Sequence, residues 1–200
     1  MSSAEPLGER LKQLRGRQGL TLVELGGRSG VAISTLSKIE NGQVSPVYGT
    51  LRKIAVGLGI PFEQLIAEPA PAAPRPVQLL TRAEGTAGFS NARYAYAMHA
   101  AALEAKAMLP AVMTIDSREP PAEGDWSSHA GEEFLFVLEG SVDVHLQGEA
   151  PVSLERGDSL YIDSRVPHGF SRRGRGKARL VSVTYDPGQA GRRALPPDEA

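Results

Sequence analysis

The segment SSHAGEEFLFVLEG, residues 127–140, places ionisable side chains at the start of an apolar run. Imidazole and carboxylate groups bind divalent metal ions, so His129 and Glu133 are candidate ligands. In an extended chain they would stand ~13 Å apart, too far to share an ion. If residues 130–132 form a three-residue hairpin loop, the two face each other at ~5 Å, and Glu132 points elsewhere. The segment therefore holds either a metal or small molecule, or it is only a solvated strand end.

Short strands must position these groups. Val142, Val144 and Leu146 alternate with polar residues, and residues 181–185 do likewise, which is typical of half-buried strands. Turn signals recur about every eight to ten residues, which predicts a β-sandwich or barrel. Residues 97–108 favour a helix by composition, but we expect strand–loop–strand because they lie within this β region.

Several side chains in the β region are candidates for a pocket. Ser127 is a polar candidate, and the aromatic candidates are Tyr94, Tyr96, Trp126, Tyr161 and Phe170. Core packing is the alternative role for them. His145 lies on the polar side of its strand, so we expect it at the surface.

Composition limits the class of protein. The chain has 200 residues, 41% of them hydrophobic, and a formal net charge of −1. There is no cysteine, which excludes disulfides and thiolate metal sites. The first residues lack the apolar region of a signal peptide, and no run approaches the ~18 apolar residues of a membrane span. We therefore expect a cytoplasmic protein without membrane association.

Charge and proline content divide the chain. Residues 1–62 carry eight Lys/Arg against four Glu, a net +4, so the remainder is acidic. Residues 69–76 read PAPAAPRP, a semi-stiff spacer. The predicted organisation is a helical domain at 7–66, a Pro/Ala-rich linker at 67–76, a β domain at 77–186 and a disordered tail at 187–200. A basic domain joined to an acidic one suggests two roles.

The first domain reads as five short helices. Thr21 and Glu24 form a capping box, and a second short helix is predicted at 33–40 after a glycine turn. Ser45 and Pro46 are expected as N-cap and first residue of the next helix. Two short helices across a glycine turn are the geometry of a helix-turn-helix.

The segment GLTLVELGGRSGVAISTLSKIENGQVSPVYGTLRKIAVGLGI closely resembles the Cro/repressor-type (XRE-like) helix-turn-helix family. The resemblance implies that the 33–40 helix enters the DNA major groove. The residues it would present there are Ile33, Ser34, Thr35, Ser37 and Lys38, with DNA-backbone contacts from Asn41, Thr50 and Arg15. Ala32 stands where such proteins often have a capping Ser, a loss of ~1 kcal/mol for the helix.

The β region resembles the cupin family. HAGEEFLFVLEG at 129–140 matches the second half of the first cupin motif, and GDSLYIDSRVPH at 157–168 matches the second. The resemblance implies that His168 joins His129 and Glu133 as a metal ligand. Ser127 stands where metal-binding cupins have a further histidine, which leaves a 2-His-1-carboxylate set. Such a set accepts one divalent metal such as Fe, Mn, Zn or Ni. The alternative is that both histidines are hydrogen-bonded pocket residues without a metal.

Together these resemblances predict an α+β multidomain protein: a five-helix Cro/repressor-like helix-turn-helix domain, a Pro-rich linker and a cupin β-barrel (double-stranded β-helix). They imply a homodimeric transcriptional regulator that binds a pseudo-palindromic DNA site and a small-molecule effector. The alternative is a non-haem iron enzyme, because the layout also resembles hydroxypropylphosphonic acid epoxidase. Gly19 and Trp126 stand where that enzyme has a pocket lysine and an asparagine, so we favour the regulator.

Overall fold

The structure is a computed structural model, and it describes residues 6–66, 78–84, 86–104 and 106–187. The predicted linker at 67–76 lies outside the described residues, as does the predicted tail at 187–200 except for Pro187. Helices come first in the chain and strands follow, which confirms the predicted α+β fold with two domains.

Five helices build the N-terminal domain. They are α1 (Leu7–Arg17), α2 (Leu22–Ser29), α3 (Ile33–Glu40), α4 (Tyr48–Leu58) and α5 (Glu63–Ile66). Each of the first four contributes a fully buried leucine to one core: Leu11, Leu25, Leu36 and Leu51. The periodic leucines of the sequence thus specify how these helices pack.

The helix starts agree only partly with the sequence. The capping box of α2 is confirmed, because Thr21 Oγ1 accepts a hydrogen bond from the Glu24 amide and the Glu24 carboxylate accepts one from the Thr21 amide. The predicted N-cap of α4 is wrong: the cap position is Val47, two residues after Ser45, and Val47 provides no side-chain hydrogen bond. Ser45 was expected to accept a hydrogen bond from an amide in the first turn of α4. A side chain of the β domain accepts such a bond instead, as described below.

Nine strands build the second domain. They are β1 (Gly88–Ser90), β2 (Tyr94–Met98), β3 (Met108–Ile115), β4 (Glu132–Glu139), β5 (Ser141–Leu146), β6 (Val152–Leu154), β7 (Ser159–Asp163), β8 (His168–Arg173) and β9 (Ala178–Tyr185). A six-stranded sheet has the order β1-β2-β3-β9-β4-β7, and a three-stranded sheet has the order β6-β5-β8. Within the predicted strand–loop–strand segment 97–108, the described residues 97–104 and 106–108 form a strand end, turns and a strand start, as predicted.

Alternation along the strands separates an inner face from an outer one. Leu135 and Val137 of β4 are fully buried, whereas Phe134 and Phe136, which alternate with them, are 40% and 37% exposed. His145 was expected at the surface, but it is buried, and its Nε2 lies 2.8 Å from Ser171 Oγ on the neighbouring strand. The prediction was wrong because this side of β5 is covered at His145, although Ser141 and Asp143 on the same side are half-buried. Alternation alone does not reveal such local cover.

The two domains are in direct contact. Helices α4 and α5 pack on the barrel, and two buried ion pairs join them to it: Arg52 with Asp186, and Glu63 with Lys106. The Phe62 and Phe89 rings lie 6.3 Å apart across the same junction. The buried apolar residues of both domains form one cluster. In the part of the chain that the structure describes, no helix is long and apolar enough to span a membrane.

Candidate metal and ligand site

The barrel brings together the three side chains that the cupin resemblance predicted as ligands. Glu133 Oε2 lies 3.7 Å from His129 Nε2 and 3.4 Å from His168 Nε2. All three side chains are buried, and one potential ligand atom from each lies within 4.8 Å of the others. The convergence of His129 and Glu133, predicted from their spacing, is present.

The chain achieves this convergence differently from the hairpin that was expected. Residues 130 and 131 form a bend, and β4 begins only at Glu132, so His129 precedes the strand. Gly131 has φ +102°, and any side chain there would collide with the Tyr185 carbonyl. Glycine at this position therefore allows the bend that turns His129 towards Glu133.

Hydrogen bonds fix the orientation of two of these side chains. Glu133 Oε1 accepts a hydrogen bond of 2.5 Å from Ser182 Oγ, which directs the other carboxylate oxygen towards the imidazoles. His168 Nδ1 lies 2.9 Å from the Val166 carbonyl oxygen, so its Nε2 faces Glu133. Outer hydrogen bonds of this kind orient the ligands in protein metal sites.

The protonation of the three groups is set by burial and by their mutual charges. Burial lowers the pKa of His129 to about 4, so this imidazole is neutral at pH 7. Burial also acts to lower the pKa of His168, but the hydrogen bond and charge of Glu133 outweigh it and the pKa is raised. Burial acts to raise the pKa of Glu133, yet the two histidines hold it below its usual value. The site thus contains a carboxylate and at least one neutral imidazole.

The residues fit a divalent cation. His129 Nε2 is buried and has no hydrogen-bond partner among the described residues. An unpartnered nitrogen is costly in a buried site unless something binds it, and a neutral imidazole has a lone pair for a metal. Two imidazoles and one carboxylate are a common ligand set for Fe(II) and also suit Mn(II), Zn(II) and Ni(II).

A small cavity lies beside the triad, inside the barrel. Its volume is about 10 Å³, close to what one water molecule requires. Glu133 and His168 line it, as do four of the six predicted pocket residues: Tyr94, Tyr96, Ser127 and Phe170. The remaining wall is mostly apolar.

Two predicted pocket residues lie elsewhere. Tyr161 is 62% exposed and donates a hydrogen bond of 2.6 Å to Glu132, because alternation along β7 directs it to the outer face. Trp126 precedes the bridge at Ser127 and does not line the cavity. The sequence did not predict the other residues that line the cavity, which are Tyr48, Met98, Leu109, Ala111, Met113, Gly169, Ser182 and Thr184. Of these, Ser182 and Thr184 are the polar positions of β9, and alternation predicted that side of the strand to face outwards.

Tyr48 reaches the cavity from the helical domain. It is the first residue of α4, and its ring packs edge-on against His129 with the centroids 5.0 Å apart. Burial raises its pKa to about 12, so the hydroxyl stays protonated. Ser127, at the place of the missing cupin histidine, accepts a 2.9 Å hydrogen bond from the Gly49 amide of the same helix.

The predicted DNA-reading helix presents a polar face. Ile33, Ser34 and Lys38 are exposed on α3, whereas Thr35 and Ser37 are half-buried. Its N-cap, Ala32, makes no side-chain hydrogen bond, in agreement with the sequence. Ile33, Ser34 and Lys38 therefore have the exposure that contact with base edges would require.

The residues predicted to contact the DNA backbone differ from one another in exposure and in their hydrogen-bond partners. Asn41 is exposed and donates to the Ser37 carbonyl at 2.9 Å, and Thr50 is half-buried. The Arg15 guanidinium makes two hydrogen bonds of 2.7 Å to Glu40 and a third to the Leu20 carbonyl. Its donors are thus directed into the domain, where they connect α1 to α3.

Comparisons with known proteins agree with this architecture. Residues 6–68 match the helix-turn-helix domain family and residues 115–184 match the cupin domain family. The fold and site therefore define a two-domain protein with a helix-turn-helix domain followed by a cupin domain.

Three relatives are informative. The HTH-type transcriptional regulator PuuR of Escherichia coli (strain K12) is 28% identical over 177 residues, 88% of this chain and 92% of PuuR. (S)-2-Hydroxypropylphosphonic acid epoxidase of Streptomyces wedmorensis is 33% identical over 85 residues, 40% of this chain and 43% of the enzyme. A crystal structure of an HTH_3 family transcriptional regulator from Vibrio cholerae superposes with a TM-score of 0.60 at 23% identity, covering 91% of this chain and 96% of that one. The chain is homologous to HTH-type transcriptional regulators that carry a cupin domain.

Proposed function

We propose that this protein is a sequence-specific DNA-binding transcriptional regulator whose cupin domain senses a small molecule with the help of a divalent metal. The observation that carries the proposal is the exposed polar face of α3 within a well-packed helix-turn-helix domain. The near full-length similarity to a transcriptional regulator supports it.

The sensing part of the proposal depends on the buried triad. His129, Glu133 and His168 would hold the ion, with the unpartnered His129 nitrogen as one ligand. A bound divalent ion supplies a positive charge that binds an anionic group of an effector. The apolar wall beside it would accept the rest of the molecule.

A single charge removal on α3 tests the DNA-binding part. We expect Lys38→Ala to weaken binding to the DNA upstream of the protein's own gene by ~1–3 kcal/mol if Lys38 contacts a base edge. If it contacts only phosphate, the salt slope should fall by about one without a change in sequence preference. Lys177→Ala, an exposed lysine of the barrel, is the matched control. Unaltered affinity and salt slope in Lys38→Ala would remove α3 from the DNA interface.

We also propose a homodimer that pairs through the outer face of the six-stranded sheet. Exposed apolar residues gather there on neighbouring strands: Met108, Phe134, Phe136, Tyr161 and Tyr185. Strand spacing gives this face an area on the order of 500 Å² per copy. Two copies would bury about 1,000 Å², the lower bound for a specific interface. A second copy is the favoured occupant because a pseudo-palindromic DNA site needs two α3 helices about 34 Å apart.

The pairing face predicts a specific loss of dimer. Phe134 lies at its centre, between Tyr161 of β7 and Val183 of β9. Phe134→Glu would bury an unpaired carboxylate in the interface, so we expect the dimer dissociation constant to rise about tenfold to a hundredfold. Sedimentation at several concentrations measures this change. Val152→Glu, on the other sheet, should sediment like the unaltered protein, and a monomeric wild-type protein would contradict the proposal.

A second candidate function is favoured by the triad itself. Its ligand set and the partial similarity to an epoxidase are compatible with a mononuclear iron enzyme. The decisive measurement is turnover: the purified protein with Fe(II) and oxygen is incubated with (S)-2-hydroxypropylphosphonic acid. Formation of product would establish the enzyme, whereas the regulator requires none.

A further inference from the structure

The first turn of α4 forms part of the wall of the barrel cavity, although it belongs to the DNA-binding domain. Tyr48 is 7% exposed and lies between His129 and Tyr96, with ring centroids 5.0 Å and 6.2 Å away. The other cavity residues lie on strands of the barrel or, in the case of Ser127, beside β8. Tyr48 is therefore the cavity-lining residue that can move without breaking backbone hydrogen bonds between strands.

Ser127 holds this helix in place. Val47 occupies the N-cap position of α4 without a side-chain hydrogen bond. The Ser127 hydroxyl, from the other domain, accepts the bond from the Gly49 amide at 2.9 Å and so serves as the missing cap. The residue that departs from the metal-binding cupin pattern thus has a defined role as a contact between the domains.

Gly49 makes this close approach possible. A Cβ at position 49 would come within 2.8 Å of Ser127 Oγ and of the backbone N and O of Ser128. Real Cβ atoms do not tolerate such distances, so the helix would have to withdraw from the barrel. Farther along α4, Arg52 contacts the Tyr48 hydroxyl at 3.4 Å and pairs with Asp186 at the end of β9.

The cavity is too small to admit a ligand larger than a water molecule unless one of its lining residues moves. At about 10 Å³ it has room for roughly one water molecule beside a metal ion. A larger ligand requires a wall to move, and the strand residues are held by continuous ladders of backbone hydrogen bonds. Displacement of Tyr48 and the first turn of α4 breaks only local side-chain contacts and the Ser127 bond.

We infer that the effector site is shared by the two domains: a ligand binds in the barrel by displacing Tyr48, and this releases the start of α4 from Ser127. The inference deepens the proposed sensing function and rests on it. An ion held by one carboxylate and two neutral imidazoles keeps one positive charge. Because Met98, Met113 and Phe170 surround the remaining space, the ligand class is a small monocarboxylate with a short apolar body.

A movement of α4 would be transmitted through α2 to the predicted DNA-reading helix α3. Helix α4 packs against α2, and Gly57 of α4 approaches Ser29 of α2 so closely that a Cβ would lie 2.7 Å from the serine Cβ. A movement of α4 must therefore carry α2 with it, and α2 precedes α3 in the helix-turn-helix. The ligand changes DNA affinity only to the extent that it binds the two positions of α4 differently.

Hydrogen exchange on the full-length protein tests this inference, with Co(II) as the metal and butyrate as the probe. We expect Co(II) and butyrate together to speed amide exchange in residues 47–52 at least tenfold, and Co(II) alone not to do so. Gly49→Ala should show the faster exchange without butyrate. It should also bind butyrate at least tenfold more tightly once loaded with Co(II), with Co(II) affinity unchanged. Gly16→Ala, a helical glycine with nothing within 4 Å, is the control.

The possible outcomes distinguish failure of the shared effector site from failure of the proposed metal-assisted sensing. If butyrate binds without altering exchange in residues 47–52, or binds neither wild type nor Gly49→Ala, the shared site is wrong. If Co(II) does not bind the wild type, the proposed metal-assisted sensing fails instead. The contact between α4 and the barrel is then tested by exchange in Gly49→Ala alone, and exchange equal to that of Gly16→Ala would overturn it.

Discussion

We expect Glu133→Gln to abolish metal binding by the purified protein. The carboxylate is the only anionic member of the buried triad, and its oxygen lies within 3.7 Å of both imidazole nitrogens. A neutral amide cannot offset the charge of a buried dication, and two imidazoles alone are a poor site. Metal affinity should fall more than a hundredfold, beyond the 10–100-fold typical of changes outside the ligand shell. DNA binding without effector should be unaltered, because the triad lies inside the barrel.

Glu132→Gln is the matched control for this prediction. The two glutamates are neighbours on β4, but Glu132 points outwards and accepts a hydrogen bond from Tyr161. Metal content after gel filtration and calorimetric titration with Mn(II) or Zn(II) measure the difference. One equivalent of metal retained by Glu133→Gln would exclude the triad as the site. Absence of metal from both the wild type and Glu132→Gln would favour the alternative of hydrogen-bonded pocket histidines.

The parts of this site that could be predicted from sequence are those set by local spacing. His129 and Glu133 are four residues apart with a glycine between them, and only a reversal of the chain lets both face one ion. That requirement holds for a bend as well as for a hairpin, so the convergence was predictable and its backbone form was not. His168 lies on a strand far along the chain and was found only through the cupin motif.

Alternation of polar and apolar residues predicted the positions of strands more reliably than it predicted which of their faces are buried. It gave the buried side of β5, but it indicated the wrong side of β9, where the polar Ser182 and Thr184 are buried and Tyr185 is exposed. It also could not show that β5 is covered at His145 while β7 is open at Tyr161. Which face is covered depends on loops and on the other domain, and these contacts are long-range. A single sequence carries no periodic signal for them.

The contact between the domains was the least predictable feature. The proline-rich segment predicted a semi-stiff spacer between the domains, and that segment lies outside the described residues. Tyr48 and Gly49 looked like ordinary positions at the start of a helix, and Ser127 was predicted as a pocket residue in the place of a missing ligand but not as a contact with α4. Their roles become visible when α4 is placed against the barrel, because each is defined by a partner on the other domain.

Removal of one partner of a buried interdomain ion pair should be strongly destabilising. Lys106, just before β3, pairs with Glu63 at the start of α5, and the two residues are only 5% and 2% exposed. Burial lowers the pKa of Lys106, partly countered by Glu63, so this pair is held in a poorly solvated environment. Glu63 Oε2 already has no hydrogen-bond partner in the described structure. Lys106→Met would leave the carboxylate buried without its cation, at a cost of about 3–5 kcal/mol.

The double variant Lys106→Met/Glu63→Leu separates charge from packing. If the loss in Lys106→Met comes from an uncompensated charge, replacing both partners by apolar side chains of similar size should restore stability to near the wild-type value or above it. If the double variant is as unstable as the single one, the pair contributes through its own attraction and geometry. Urea unfolding of the full chain measures the free energy in each case. Arg165→Ala, which breaks the exposed pair with Asp163, should unfold like the wild type.

Amide hydrogen exchange would show where Lys106→Met destabilises the protein. The amides of α5 should lose protection before those of β3 and β9, because the broken ion pair lies at the junction between the domains and not within the sheet. Uniform loss of protection across the barrel would contradict this account and place Lys106 among the residues that stabilise the barrel itself.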